Sequence, residues 1–435
     1  MKIAMLTNNY KPFVGGVPIS VERQAEELIK LGHEVTVFAP DYEENGTENE
    51  EKSMERIIRY RTSTRKMENG MIYPKLICTE VLDTFEKEKF DCIHVHHPMF
   101  VGPMALYLGK RYQLPVIYTY HTRYEDYLHY IRFLKLNENS GSVKKKIFRW
   151  GRETVVPGYM KWFTNQCDLV LAPTAGMRER LQSMGTHSRV EVLPTGLKDE
   201  FYRKDPVKAQ KIRDQYLGGR KHLLCSVSRL EEEKNPGFLL NGIAEVKAQR
   251  GNDFMVLLIG EGSMREKLEE QADKLGIMDV VTFVGNVENN EVKHFLNASE
   301  LFLFASKSET QGIVLAEAMA AENPVVAVKA SGVEDIVRDR VNGYVTEEDL
   351  DQWAQKVSEA LKVQNYERLK EQARITAEGF RASVLALYAK QVYEECISRK
   401  YRETFDSERG GTEYENAPNR AEHPAASIYR LFKAS

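Results

Sequence analysis

Ser308-Glu309-Thr310-Gln311-Gly312-Ile313-Val314-Leu315-Ala316-Glu317 sets two carboxylates around a glycine, with seven residues between them. Before it, Glu300-Leu301-Phe302-Leu303-Phe304-Ala305 has the length and apolar continuity of a buried strand. After it, Ala318-Met319-Ala320-Ala321 continues a helical run. The order is therefore strand, glycine-containing turn, helix. Such a turn exposes backbone N–H groups at a helix N-terminus, where the macrodipole favours an anion. Glu309 falls on the turn and Glu317 two turns into the helix, so both can face a ligand lying across the helix start. Carboxylates accept strong hydrogen bonds from polyol hydroxyls. A site fitted to phosphate and polyol together points to a nucleotide sugar. The bare spacing also occurs on ordinary solvated helices, so the reading depends on what surrounds it.

Around this stretch, short β-branched runs alternate with amphipathic segments, the pattern of parallel sheets covered by helices. Strands are predicted at 2–6, 34–39, 92–96, 116–120, 169–172 and 191–193, with helices at 19–31, 101–112 and 174–183 between them. The pattern restarts with strands at 222–226, 254–259, 280–284, 301–304 and 325–328 and helices at 236–249, 264–275 and 288–296. The break falls at Pro194-Thr195-Gly196-Leu197, and a polar linker follows to about Lys221. The fold class is α/β: two doubly wound Rossmann-like domains, 1–197 and 198–379, facing across a cleft. A long amphipathic helix is predicted at 380–402, and 403–435, rich in charge, Gly, Pro and Asn, reads as a mobile tail. The acidic, polar stretch 42–52 reads as an exposed loop.

A chain of 435 residues exceeds one ordinary core. With 42% hydrophobic residues and a mean hydropathy of −0.47, it has the composition of a globular protein. A formal net charge of −3 excludes a whole-chain polyanion binder, so any membrane argument must be local. No apolar run approaches the roughly 20 residues of a spanning helix. Met1–Asn8 reads as a strand entering a polar loop and has no signal-peptide core. The five cysteines (Cys78, Cys92, Cys167, Cys225 and Cys396) are scattered without metal spacing and read as reduced core residues of a cytosolic protein.

Other motifs fall at strand ends, where ligands bind in such sheets. Gly15-Gly16 joins the first strand to the first helix, and paired glycines let a ligand approach the backbone. They also suit an ordinary βα turn, and neither a Walker A loop nor a Gly-x-Gly-x-x-Gly spacing is present. In Ser226-Val227-Ser228-Arg229-Leu230-Glu231-Glu232-Glu233-Lys234, Arg229 and Lys234 can converge on one diphosphate, although the glutamates also suit a solvated charge run. Each charge-assisted contact is worth roughly 1.5–3 kcal/mol, and more where it strengthens as a leaving diphosphate gains charge. Gly260 and Gly262 form another strand-to-helix turn, and Gly285-Asn286 follows the next strand. Tyr118-Thr119-Tyr120-His121-Thr122-Arg123-Tyr124-Glu125-Asp126 closes a strand with a polar and aromatic cluster, in which His121 can hydrogen-bond a sugar hydroxyl or steer a proton. His96 and His97 end another strand and are candidates for the acceptor side.

The Glu-x7-Glu pattern in this setting resembles the donor-sugar motif of retaining GT-B glycosyltransferases of family 4. Ser306-Lys307-Ser308-Glu309-Thr310-Gln311-Gly312, with Tyr120-His121-Thr122 and Tyr124-Glu125-Asp126-Tyr127, is most similar to the branch that glucosylates diacylglycerol. Most of the family carries Glu-Gly-Phe-Gly where this chain has Glu-Thr-Gln-Gly. The resemblance spans about residues 1–400. It implies that Arg229 and Lys234 stabilise the departing diphosphate and that Gly15, Gly16, Gly260 and Gly262 line the donor. Glu309, with Thr310 and the amides of Gln311, Gly312, Ile313 and Val314, would hold the sugar, and Glu317 the ribose. His121 would stand near the reacting carbon, and the C-terminal helix would cross back onto the first domain. Family 4 chemistry implies front-face displacement, in which the leaving phosphate helps deprotonate the acceptor and no carboxylate acts as nucleophile.

The implied donor is UDP-glucose and the implied acceptor diacylglycerol in an anionic membrane, met from the cytoplasm at the inner face of the cell membrane. The interfacial candidate is 143–165, where Lys144, Lys145, Lys146, Arg149 and Trp150 mix cations with aromatics, and Tyr124, Glu125 and Asp126 are further acceptor-side candidates. Pro157 and Gly158 divide that segment, so a solvated helix covering the sheet is an alternative. No metal signature is present: Asp349-Leu350-Asp351 opens a predicted surface helix, where it suits capping. No metal is required on this reading, and Mg²⁺ has at most an indirect, stimulatory part. No nucleic-acid module is present, and oligomeric state is left open. The rival functions are a transferase with a soluble sugar or polysaccharide acceptor, a non-catalytic nucleotide-sugar-binding protein and a UDP-sugar epimerase.

Overall fold

A computed structural model describes residues 1–13, 15–42, 53–66, 72–74, 78–124, 142–307 and 309–408. The chain forms two compact units, Met1–Gly196 with the helix that begins at Ala382, and Leu197–Arg381. In the first unit lie β1 (Lys2–Leu6), β2 (Glu34–Pro40), β3 (Arg56–Tyr60), the hairpin β4 (Thr62–Lys66) and β5 (Ile72–Pro74), β6 (Cys92–Val95), β7 (Val116–Thr119), β8 (Leu169–Ala172) and β9 (Val190–Val192). Seven of these form one sheet in the order β3-β2-β1-β6-β7-β8-β9, parallel at every pairing. Its helices are α1 (Gly16–Lys30), α2 (Thr79–Lys87), α3 (Val101–Tyr112), α4 (Ser142–Trp150), α5 (Val156–Thr164) and α6 (Ala175–Ser183). The inner strands are Val-, Ile- and Leu-rich because helices cover both faces, which leaves no polar alternation.

One face packs Ile3, Met5, Val21, Leu28 and Leu171 against Leu385, Ala389, Val392, Tyr393 and Cys396 of the C-terminal helix. The opposite face packs Ile93, Val95, Tyr118, Val170 and Phe163. The C-terminal helix runs from Ala382 to Glu408, beyond the expected 380–402. Residues 409–435 of the expected tail and 43–52 of the expected loop lie outside the described residues. The five cysteines are all buried and unpaired.

Pro157 does not break its segment. Helix α4 passes through a π-turn at Gly151–Val155 into α5, where Pro157 occupies the first turn. The Val156 N–H reaches back to Gly151 O, one residue further than in an α-helix. Proline has no N–H to donate and its ring clashes with the carbonyl four residues back in a regular α-helix; the i→i−5 register just before it relieves that conflict.

The second unit contains β10 (His222–Val227), β11 (Phe254–Ile259), β12 (Val281–Gly285), β13 (Leu301–Phe304), β14 (Val325–Val328) and β15 (Gly343–Thr346). They form a second all-parallel sheet in the order β12-β11-β10-β13-β14-β15. Its helices are α7 (Pro206–Tyr216), α8 (Pro236–Arg250), α9 (Arg265–Lys274), α10 (Asn289–Ala298), α11 (Ile313–Ala320), α12 (Leu350–Ala360) and α13 (Val363–Glu378). This is the doubly wound order, with its reversal between β10 and β13. The loops leaving those two strands carry Arg229 and Lys234, and Glu309.

Candidate active site

In the second unit, Lys234 Nζ lies 2.6 Å from Glu309 Oε1, and the two side chains are only 16% and 14% exposed. This charge-assisted contact joins the two strand-end loops at the point where the strand order reverses. Two bonds to one carbonyl reinforce it: Glu233 O accepts from Lys307 N–H at 3.1 Å and from the Ser306 hydroxyl at 3.3 Å. Glu348 Oε1 also bridges the loops, accepting from Asn235 Nδ2 at 3.0 Å and pairing with Lys307 Nζ at 2.7 Å. Arg229 is 53% exposed and pairs with Glu233 at 2.8 Å. The two cations thus engage different carboxylates.

Gly312 has φ of 71° and caps α11. That left-handed conformation turns the chain sharply into the helix, and the first-turn N–H groups of α11 lack intrahelical acceptors. Thr310, Ile313 and Val314 are half-buried, while Gln311 and Glu317 are each 7% exposed. Gly260 and Gly262 have a packing explanation. A Cβ at Gly260 would fall 2.0 Å from Ser228 O, and one at Gly262 2.3 Å from Leu230 O. The two loops abut through Ser228 N–H to Ile259 O and Leu230 N–H to Glu261 O.

The sequence reading missed Ser331 and Gly332. Ser331 Oγ donates to Glu309 O at 3.2 Å. A Cβ on Gly332, whose φ is 78°, would lie 2.9 Å from the same carbonyl. Their signal was a Ser-Gly turn shortly after β14, past Lys329-Ala330. Asp349 caps α12 by accepting the Gln352 N–H at 2.8 Å. Among the described residues, no group of three or more His, Cys, Asp or Glu is placed to hold a metal.

In the first unit, β6 and the loops after β6 and β7 bring together four histidines, His94, His96, His97 and His121, and the loop after β1 reaches them through Asn8. His97 Nδ1 accepts the Asn8 N–H at 3.1 Å. His96 Nδ1 lies 2.9 Å from His121 Nε2, and the two rings stack. His94 Nδ1 lies 2.6 Å from the Tyr393 hydroxyl and its Nε2 lies 2.7 Å from Thr119 Oγ1. Loss of hydration pushes His97 and His121 down to about 3 and holds His94 and His96 well below the usual imidazole range. His121 is therefore a neutral imidazole at physiological pH, able to share a hydrogen bond but carrying no charge. His94 and Tyr393 were not singled out from sequence, since their contact joins positions 299 residues apart.

Gly15 is extended and Gly16 begins α1, with nothing within 4 Å of a Cβ built on Gly16. Neither glycine is forced by strain, and the space over Gly16 is open. Tyr124 packs on the first unit's core, whereas Glu125, Asp126 and the Lys144 side chain lie outside what is described. Lys145, Lys146, Arg149 and Trp150 are exposed along α4. No described helix is long and apolar enough to cross a membrane.

Comparison with known proteins agrees with this anatomy. Residues 14–201 match the family model "Glycosyltransferase Family 4", and residues 208–376 match "Glycosyl transferases group 1". An alpha-monoglucosyldiacylglycerol synthase from Streptococcus pneumoniae is 29% identical over 80% of this chain and 76% of its own length. One from Acholeplasma laidlawii is 26% identical over 79% of this chain and 84% of its own. The crystal structure of Anabaena Alr3699/HepE in complex with UDP shares the fold, with a TM-score of 0.70 at 19% identity over 91% of this chain and all of that one. With one family domain on each parallel-sheet unit, the chain belongs to the GT-B glycosyltransferases, a family 4 domain followed by a group 1 domain.

Proposed function

We propose that this glycosyltransferase moves glucose from UDP-glucose to the free hydroxyl of 1,2-diacylglycerol with retention, forming an α-linked membrane glycolipid. The observation that carries this reading is its likeness to two alpha-monoglucosyldiacylglycerol synthases across about four-fifths of the chain. The Lys234–Glu309 pair at the sheet's reversal supports the donor half. In the proposed mechanism Lys234 and Arg229 neutralise the departing UDP, and Lys234 exchanges its contact with Glu309 for the phosphate. Glu309 then accepts glucose hydroxyls, helped by the amides from Gln311 to Val314, and Glu317 accepts from the ribose. Neutral His121 holds a sugar hydroxyl near the reacting carbon. The acceptor oxygen bonds to the anomeric carbon as the bond to phosphate breaks, and its proton passes to the leaving phosphate oxygen. Fixed cations do the neutralising, so no metal is required and Mg²⁺ stimulates only indirectly. The acceptor is insoluble, so the enzyme works as a peripheral protein on the inner face of the cell membrane.

The test pairs labelled UDP-glucose with diacylglycerol in mixed micelles and, separately, with soluble sugars. Labelled glycolipid is the expected product. Transfer only to soluble sugars would move the acceptor assignment, and no transfer from any nucleotide sugar would reduce the protein to a binding role.

A further inference from the structure

We infer that the π-turn at Gly151–Val155 is a register device that aligns Trp150, Val155 and Trp162 into one outward apolar stripe seated in an anionic membrane. The inference rests on the lipid-acceptor reading above. Trp150 and Trp162 are twelve residues apart. On an uninterrupted α-helix that spacing separates them by about 120°. A π-turn inserts one residue, so the effective spacing is eleven and the separation falls to about 20°. By the same count Val155 falls about 40° from Trp150. All three are exposed, at 61%, 44% and 49% for Trp150, Val155 and Trp162.

The opposite side supports the same register. Phe148 and Met160 are also twelve residues apart, and both pack on the same core of the first unit. Without the extra residue, one pair of inward side chains and one pair of outward side chains would be split.

Charge identifies the occupant. Lys145, Lys146, Arg149, Arg152 and Lys161 are exposed on this run, against a single acid, Glu153. Lys145, Lys146 and Arg149 make no ion pair among the described residues. Cations beside half-exposed indoles suit anionic headgroups over an acyl boundary. A soluble acidic partner would satisfy the cations and leave the stripe in water.

The test uses the full chain with its three tryptophans, of which Trp353 is fully buried and serves as an internal reference. Trp150→Phe and Trp162→Phe each leave one outer indole. Fluorescence is read on phosphatidylglycerol-rich vesicles with brominated acyl chains. Quenching of both indoles to a similar extent is expected, with Val155→Asp weakening vesicle affinity roughly tenfold. Quenching of Trp150 alone would overturn the register. Equal binding to uncharged phosphatidylcholine vesicles would overturn the electrostatic part. A self-associating protein whose dimer, rather than vesicle binding, is lost in Val155→Asp would assign the face to a second copy. Wild-type turnover of a dispersed short-chain diacylglycerol is measured separately. Its absence removes the lipid-acceptor reading, whereas turnover without quenching removes only this surface.

Discussion

Lys234→Ala separates the two roles of one short contact. Lys234 Nζ lies 2.6 Å from Glu309 Oε1, with both side chains about five-sixths buried. Breaking a fully buried pair costs about 3–5 kcal/mol, and the remaining solvent access here reduces that to about 1–2 kcal/mol. A unit of this size loses about 2–4 °C of Tm per kcal/mol, so a fall of about 2–8 °C is expected. The rate effect is larger. A preorganised donor that meets developing charge is worth about 2.7–4 kcal/mol, which is about 10²–10³ in kcat. Steady-state turnover at saturating UDP-glucose and diacylglycerol, read beside calorimetric melting, measures both. Acceptor binding should change only a few-fold. Adding Glu309→Gln removes the stranded carboxylate and should recover most of the lost Tm without recovering the rate. A Lys234→Ala enzyme with kcat within about threefold of the parent would remove Lys234 from the mechanism, because no contact of the size used here could then be present.

Gly332→Ala forces a Cβ to 2.9 Å from Glu309 O at a φ of 78°, so the loop holding Glu309 must shift; a donor KM raised about tenfold is expected, and an unchanged KM would free that loop from the donor site. His94, His96 and His97 are at most 4% exposed, and burial lowers each below its unfolded value. As pH falls through ~6.5 the unfolded chain takes up protons that the folded chain refuses, so stability is complete above that pH and declines below it. Each histidine removes about 2 kcal/mol between pH 6.5 and 5, and a Tm that stays flat from pH 7.5 to 5 would contradict their burial. Chelation by EDTA should leave glycolipid synthesis within about tenfold of the untreated rate, while complete loss restored by Mg²⁺ would show that Arg229 and Lys234 do not suffice for the diphosphate.

Much of the fold is legible because both sheets are parallel and buried on both faces. Runs such as Phe254–Ile259 and Leu301–Phe304 are too apolar to be anything but inner strands. What escaped is less regular. Arg56 and Arg59 give β3 the polar look of an edge, and β15 begins with Gly343, which packs where a Cβ would fall 2.2 Å from Val325 O. The π-turn has no sequence signal of its own, and the proline after it reads as a break. In the candidate site, Lys234 and Glu309 were readable as strand-end motifs, while their contact across 75 residues was not. Gly260 and Gly262 read as ligand glycines because loop-to-loop packing and ligand approach make the same demand on a backbone.

The most direct test of the central claim is the anomeric configuration of the product made from labelled UDP-glucose and 1,2-diacylglycerol in mixed micelles containing anionic lipid. A single α-linked glucosyl-diacylglycerol, read from the anomeric proton coupling, is the expected result and establishes donor, acceptor and retention together. A β-linked product would contradict front-face transfer, and release of UDP with no glycolipid would contradict the lipid acceptor.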